Sequence, residues 1–116
     1  MSFVNLHVHS AIGSLLDSIL TIEQIVKYAV ENKQPAIAIS DHGTMHGFVD
    51  QVELCNKHGV KPIVACEIYE VDNYLEKQDT KDYKQPRYHL LLIVKTQQGL
   101  KNLFKIVSEA ATTGFY

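Results

Sequence analysis

Imidazole and carboxylate side chains occur in this sequence at spacings that suit a metal-binding site. His7 and His9 lie two positions apart in a β-prone segment, so both side chains leave the same face. Their ring nitrogens can therefore converge on one ion. Two hydrogen-bonded core histidines are the alternative interpretation. His42 follows a second apolar segment and Glu67 closes a third.

Parallel strands would bring these residues to a common edge. In parallel α/β folds the carboxyl ends of the strands share one rim, where active sites collect. A buried Glu67 is costly unless a cation balances its charge, and coordination to a metal removes that cost. Asp17 follows the first segment on the same rim, where it is either a ligand or a solvated turn residue. A mixed set of histidines and carboxylates suits Zn, Mn or Fe, and metal-assisted phosphoester hydrolysis is the reaction class that follows.

Four other residues near these positions receive different assignments. Asp41 is interpreted as a supporting residue or a helix N-cap, because its neighbour His42 already points to the rim. His46 is not expected to be a ligand, since a glycine interrupts the helix that would join it to His42. His58 is structural at a helix carboxyl end, where the dipole favours a cationic ring. His89 opens a strand whereas the other candidates close theirs, so spacing alone favours a structural role.

Apolar periodicity along the chain predicts alternating strands and helices. Thr21 precedes Gln24 by three residues, a capping-box spacing, and Gly59 is expected to end the second helix. The predicted strands cover residues 3–9, 36–40, 61–67 and 88–95, with Val71 as an alternative end of the third strand. The predicted helices begin at Thr21, near His46 and at Thr96. This order predicts a parallel α/β sheet with right-handed crossovers, either an open doubly wound sheet or part of a barrel.

Each predicted helix has an apolar face that should be buried, since positions i, i+3, i+4 and i+7 share one side of a helix. The faces consist of Ile22, Ile25, Val26, Ala29 and Val30, then Phe48, Val49, Val52 and Cys55, then Leu100, Leu103, Phe104, Val107 and Ala111. Residues 72–87 are polar, contain Pro86 and are predicted to form a loop or insertion.

Composition excludes several classes of protein. The 116 residues are 46% hydrophobic and 21% charged, which is typical of one globular domain. A formal charge of −2 disfavours a strongly cationic nucleic-acid binder, so phosphate affinity has to come from a local site. No run approaches the ~20 apolar residues of a membrane span, and residues 1–5 lack a signal-peptide pattern; we expect a cytoplasmic protein. Cys55 and Cys66 are interpreted as reduced and buried, rather than as a disulfide or a metal pair.

Several stretches of the sequence resemble the polymerase and histidinol phosphatase (PHP) domain. The general resemblance rests on residues 5–10 (NLHVHS), 14–17 (SLLD) and 35–43 (PAIAISDHG). It is narrowed to the amino-terminal part of bacterial DNA polymerase III alpha subunits by residues 61–69 (KPIVACEIY), 89–92 (HLLL), 99–103 (GLKNL) and 114–116 (GFY). Only residues 72–87 are uninformative.

The resemblance implies an irregular (β/α)7 barrel, of which this chain would form about half, with up to three metal ions at the carboxyl rim. It implies that His7 and His9 bind one ion, that Glu67 bridges it to a second ion ligated by His89, and that Asp17 and His42 help to hold a third. The spacing-based interpretation of His89 is thereby reversed. The implied chemistry is attack of metal-activated water on a phosphate ester, as in a 3′–5′ exonuclease, with no side chain assigned a catalytic role.

By the same resemblance, further ligands lie beyond Tyr116, so residues 1–116 are expected to be the amino-terminal portion of a truncated PHP domain. The parent would be a DNA-directed DNA polymerase, with the rest of the alpha subunit, DNA and a proofreading subunit as partners and no membrane. The fragment is expected to bind metal partially, to show little catalysis and to self-associate through uncovered apolar surfaces. Two alternatives stay open: a structural scaffold for the polymerase and its proofreading subunit, or a small-molecule phosphatase of the histidinol-phosphate type.

Overall fold

A computed structural model describes residues 3–75 and 85–114 of the chain. The elements follow in the order α1 (Ile22–Glu31), β1 (Ala36–Ile39), α2 (Phe48–His58), β2 (Lys61–Glu70), β3 (Tyr88–Ile93) and α3 (Gln97–Thr112). The three strands form one sheet in the order β1-β2-β3. The fold is therefore of the α/β class, as predicted. Residues 76–84 of the predicted loop, and Phe115 and Tyr116 of the last motif, lie outside the described residues.

Residues 3–9, predicted to be the first strand, run beside β1 without forming a regular strand. Asn5 makes one isolated parallel bridge to Ile37, and the Ser40 amide donates to the Val8 carbonyl at 2.8 Å. The amides of His7 and Val8 donate instead to side chains, to Asn5 Oδ1 at 3.3 Å and to Ser40 Oγ at 3.1 Å. Such side-chain bonds compete with a strand ladder, which explains why the prediction of a strand was wrong.

The third strand of the sheet corrects the prediction of an all-parallel arrangement. β1 pairs with β2 in parallel, but β3 pairs with β2 antiparallel, with Tyr69 opposite His89. A parallel return requires a crossover connection, usually a helix, and the polar segment of residues 72–87 carries no helical pattern. The start of β3 consequently lies beside the carboxyl end of β2.

The ends of the helices follow local signals in the sequence. Thr21 caps α1 through a complete capping box, in which its side chain accepts from the Gln24 amide and the Gln24 side chain accepts in return. Thr96 caps α3 by accepting from the Gly99 amide. Gly59 ends α2 in the left-handed conformation, at a φ of +70°. These caps confirm the predicted boundaries at Thr21, Gly59 and Thr96.

The hydrophobic core lies where α1 and α2 pack on β1. It contains Ile22, Ile25, Val26, Ala29, Ile37, Ile39, Cys55 and Val60. Val30 and Val49, which were predicted to face inward, are 41% and 57% exposed. On α2 the inward position is taken by Gln51, whose side-chain amide donates to the carbonyls of Ile37 and Ile63 and thereby joins the helix to two strands.

α3 packs less closely than predicted. Of its expected apolar face only Leu103 is buried, while Phe104 is 40% exposed and meets the Phe48 ring at a centroid distance of 5.6 Å. Leu100 and Val107 of the same face are half-buried, and Ala111 is exposed. None of the helices in residues 3–75 and 85–114 has the length and apolarity required to cross a membrane.

Candidate metal centre

Glu67 is the centre of the candidate site. It lies in β2 with a side chain that is 4% exposed. Its Oε2 atom lies 2.5 Å from His7 Nε2 and 2.8 Å from His9 Nε2, and its Oε1 atom contacts His89 Nδ1. One buried carboxylate therefore contacts three imidazole rings that come from two other parts of the chain.

The charge state of Glu67 depends on a balance between burial and hydrogen bonding. Burial favours the neutral acid, but the hydrogen bonds from His7, His89 and His9, with a further contribution from nearby His42, outweigh it. The pKa of the Glu67 carboxyl is lowered from 4.5 to about 2 as a result. Glu67 is therefore ionised at neutral pH, which is the form that binds a cation.

His42 extends the site toward the loop that carries Asp17. Its Nε2 atom lies 3.4 Å from Asp17 Oδ2 and 3.9 Å from Glu67 Oε2. Its Nδ1 atom is buried and has no hydrogen-bond partner among the described residues. Because buried polar atoms are nearly always paired, this orphaned nitrogen fits a site in which the ring serves as a ligand.

The six predicted site residues form three overlapping groups. The groups are His7, His9 and Glu67; His9, Asp17 and His42; and His42, Glu67 and His89. Within each group the ligand atoms all lie within 4.8 Å of one another. Imidazole nitrogens with carboxylate oxygens form a donor set that suits Zn, Mn or Fe, so the residues present fit a metal centre. Their role as ligands stays a prediction.

Other residues singled out in the sequence lie elsewhere. His46 and His58 are exposed and belong to none of the three groups. Asp41 is not a helix N-cap, because α2 begins after Gly47; it is buried beside the site. Cys55 and Cys66 are both buried and free.

Tyr69 is a residue of the site that sequence reasoning missed. Its ring lies parallel to the His42 ring at a centroid distance of 5.9 Å and meets the His89 ring edge-on at 4.7 Å. Side chains two positions apart on a strand share a face. The position of Tyr69 two residues after Glu67 was therefore the available signal.

A comparison with models of protein families identifies the family of this chain. The family model described as the PHP domain matches residues 5–116. The chain belongs to the PHP family. All six residues of the candidate PHP site lie within the matched range.

Curated relatives of this PHP chain include DNA polymerase III alpha subunits. The chain is 37% identical to the subunit from Chlamydia muridarum, 35% to that from Treponema pallidum and 39% to that from Borreliella burgdorferi, each over 116 aligned residues. The alignments cover 98–100% of this chain but 9–10% of the relatives. The PHP chain thus spans about a tenth of the length of these proteins.

Solved structures support the α/β architecture. A protein from Bifidobacterium adolescentis, assigned as a metal-dependent phosphoesterase, superposes with a TM-score of 0.61 at 20% identity, over 90% of this chain and 32% of its own. An amidohydrolase from Chromobacterium violaceum, solved with sulfate and no metal, superposes with a TM-score of 0.59 at 15% identity, over 91% of this chain and 34% of its own. At these identities the likeness concerns the PHP fold alone.

Proposed function

We propose that this chain is a metal-binding PHP module of a DNA polymerase III alpha subunit, and that its site serves metal-dependent hydrolysis of phosphate esters. The observation that carries the proposal is the buried Glu67 carboxylate in contact with His7, His9 and His89. The contacts with the three imidazoles keep this buried carboxylate ionised, and all four side chains offer donor atoms of the kind that bind a divalent cation. The same arrangement is favourable when a divalent ion occupies its centre.

Each ligand has a definite place in this proposal. His7, His9 and Glu67 would hold one ion, Glu67, His42 and His89 a second, and His9, Asp17 and His42 a third. The donor set suits Zn, Mn or Fe. Ions of this kind lower the pKa of a coordinated water and offset the negative charge of a phosphoryl group. Tyr69 supports the arrangement by packing against His42 and His89.

The 3′ end of DNA is the substrate that we propose for this site, in a 3′–5′ exonuclease reaction. The similarity to replicative polymerase subunits along the whole chain supports this choice over a small-molecule phosphatase. The net charge of −2 means that the chain lacks a generally basic surface. Recognition of the phosphodiester would therefore depend on the metal centre itself.

We also propose that residues 1–116 correspond to the amino-terminal portion of a longer PHP domain of (β/α)7 type. The greater length of the relatives supports this view. The partners would then be the rest of the alpha subunit and, through it, DNA and a proofreading subunit. We expect the chain by itself to bind ions with partial occupancy and to turn over substrate slowly.

Isothermal titration with Zn²⁺ and Mn²⁺ tests the metal assignment. His9→Ala removes an imidazole that belongs to two ligand groups, and we expect a loss of affinity of about tenfold or more. His46→Ala is the matched control, since it removes an exposed imidazole outside the three groups. Equal affinities for the wild type and both variants would overturn the assignment.

Exposed apolar residues favour a second function, that of a scaffold. Leu15, Leu16 and Ile19 precede α1 and are strongly exposed, Leu16 completely so. Phe104 and Ile106 of α3 are also exposed. Apolar surface of this kind marks contacts with other proteins.

Assays of the parent polymerase distinguish the hydrolytic function from the scaffold function. In the hydrolytic proposal, His9→Ala combined with Glu67→Ala abolishes exonuclease activity on a 5′-labelled single-stranded oligonucleotide. Polymerase activity on a primed template serves as the control and should persist. An unchanged exonuclease rate together with a lower melting temperature would identify the module as a scaffold.

A further inference from the structure

Asp41 is buried next to the metal centre and belongs to none of its ligand groups. Its Oδ1 atom accepts a hydrogen bond from the Ser10 amide and its Oδ2 atom accepts one from Ser10 Oγ, both at 2.6 Å. Ser10 is also fully buried. Because Ser10 directly follows His9, these two bonds hold the end of the histidine segment against the end of β1.

The backbone of Asp41 reaches the third ligand-bearing segment. The Glu67 amide donates to the Asp41 carbonyl at 3.1 Å, and the Cys66 thiol lies 3.3 Å from the same oxygen. His42 is the next residue in the chain. Asp41 is therefore linked to all three segments: through its side chain to Ser10, the residue after His9, through the peptide chain to His42, and through its carbonyl to the Glu67 amide.

The turn after the histidine segment is shaped around the Asp41 side chain. A Cβ atom at Gly13 would lie 2.5 Å from Asp41 Oδ2, so only glycine allows this close approach. In the same turn, Ser14 Oγ accepts a hydrogen bond from the His42 amide at 2.9 Å. The Asp41 carboxyl is thus enclosed on the side of Gly13 and hydrogen-bonded on the side of Ser10.

We propose that Asp41 is the positioning residue of the metal centre, which sets the distances between the rings of His9 and His42 and the carboxylate of Glu67. The inference rests on the metal-binding function proposed above. Asp41 acts through other residues, since it belongs to none of the ligand groups and each of its two oxygens accepts a hydrogen bond from Ser10. A side chain that spans several ligand-bearing segments controls whether their donor atoms converge, much as the partners of ligands do in metal sites generally.

Zn²⁺ affinity measured on four proteins tests the proposal. Asp41→Ala removes both bonds to Ser10, and we expect a loss of affinity of about 10- to 100-fold. Asp41→Asn keeps the shape and one acceptor oxygen and should restore most of the affinity. Gln51→Ala is the matched control: Gln51 is equally buried, but it bonds to the carbonyls of Ile37 and Ile63 within the sheet. It should lower stability without changing Zn²⁺ affinity.

A second readout does not depend on metal. Long-range ¹H–¹⁵N correlation spectra of the histidine rings report their hydrogen bonds, and Asp41→Ala should shift the signals of His9 whereas Gln51→Ala should not. If the wild type binds no Zn²⁺ and this spectral difference is still observed, the proposed function fails and the positioning role stands. Should Asp41→Ala not fold, Ser10→Ala removes one of the two bonds and provides the same test.

The inference is overturned by a specific pattern of results. If Asp41→Ala and Gln51→Ala lower Zn²⁺ affinity equally and leave the His9 ring signals alike, Asp41 is an ordinary buried polar residue. If Asp41→Asn fails to restore affinity lost in Asp41→Ala, the bonds to Ser10 are not the cause. All titrations are made below the unfolding temperature of the least stable variant.

Discussion

His89 contacts Glu67 diagonally across an antiparallel strand pair. His89 lies opposite Tyr69, and Glu67 is two residues before Tyr69 on the same face of β2. Diagonal neighbours on such a pair are within reach of long and aromatic side chains. The reversed direction of β3 therefore brings an imidazole from the start of one strand to a carboxylate near the end of another.

Replacing His89 should affect only part of the metal centre. His89 occurs in one of the three ligand groups and the other two lack it, so we expect His89→Ala to lose part of the bound metal and to retain the rest. Metal content after dialysis, measured by mass spectrometry at several Zn²⁺ concentrations, checks this. Tyr88→Ala is the control, because Tyr88 lies on the opposite face of β3. Loss of all metal in His89→Ala would contradict the prediction.

Adding a methyl group at Gly13 should destabilise the protein. The new Cβ would lie 2.5 Å from Asp41 Oδ2, and relief of that overlap is expected to cost about 1–3 kcal/mol of unfolding free energy. Gly99→Ala in the first turn of α3 meets its nearest atom, Thr96 Oγ1, at 3.4 Å. That control should be neutral or stabilising by up to about 1 kcal/mol. Urea unfolding measures the free energy of unfolding of both variants. Equal values would show that the close approach of Gly13 to the Asp41 side chain does not matter for stability.

The two sides of α1 should respond very differently to truncation. Ile25 is 3% exposed and belongs to the core, so Ile25→Ala should lower the free energy of unfolding by about 2–5 kcal/mol. Val30 lies on the same helix but is exposed, and Val30→Ala should change stability by less than about 0.5 kcal/mol. Chemical denaturation measures both. A large loss at Val30 would mean that a partner surface covers it in solution.

The cysteines should be unreactive in the folded chain. Burial raises the pKa of the Cys55 and Cys66 thiols from 9.0 to about 11, so the thiolate fraction at pH 8 is about one in a thousand. The pKa of each thiol is higher in the folded chain than in the unfolded chain, so the folded state favours the protonated thiols. Their contribution to the free energy of unfolding is therefore complete below pH 9.0 and is lost as the pH rises through about 11.

Alkylation measures the reactivity of the two cysteine thiols directly. Iodoacetamide at pH 8 should modify neither cysteine until urea unfolds the protein, and mass spectrometry counts the adducts. A free thiol peptide in the same tube is the control for reagent activity. Rapid modification of Cys55 without urea would contradict the burial seen in the core.

Features that depend on residues close in sequence were predictable. The capping box at Thr21 and the left-handed Gly59 are set within a few positions of the helix ends. His7 and His9 share a face of their segment for a similar reason. Spacing together with strand ends was sufficient to bring His42 and Glu67 into the same hypothesis.

Features that depend on distant pairing were not predictable in the same way. A short apolar strand has the same pattern in either direction, so the antiparallel β3 could not be distinguished from a parallel one. His89 was consequently given a structural role by spacing, and only the family resemblance placed it in the site. The segment of residues 3–9 has strand composition, but its pairing is decided by the side chains of Asn5 and Ser40.

Membership of the three ligand groups is unequal, and this has a consequence for genetics. His9, His42 and Glu67 each occur in two groups, whereas His7, Asp17 and His89 each occur in one. An allele that alters a shared residue would disturb two of the proposed ion sites at once, and its phenotype could be attributed to neither. An allelic series built on the three unshared positions would instead address the ions one at a time.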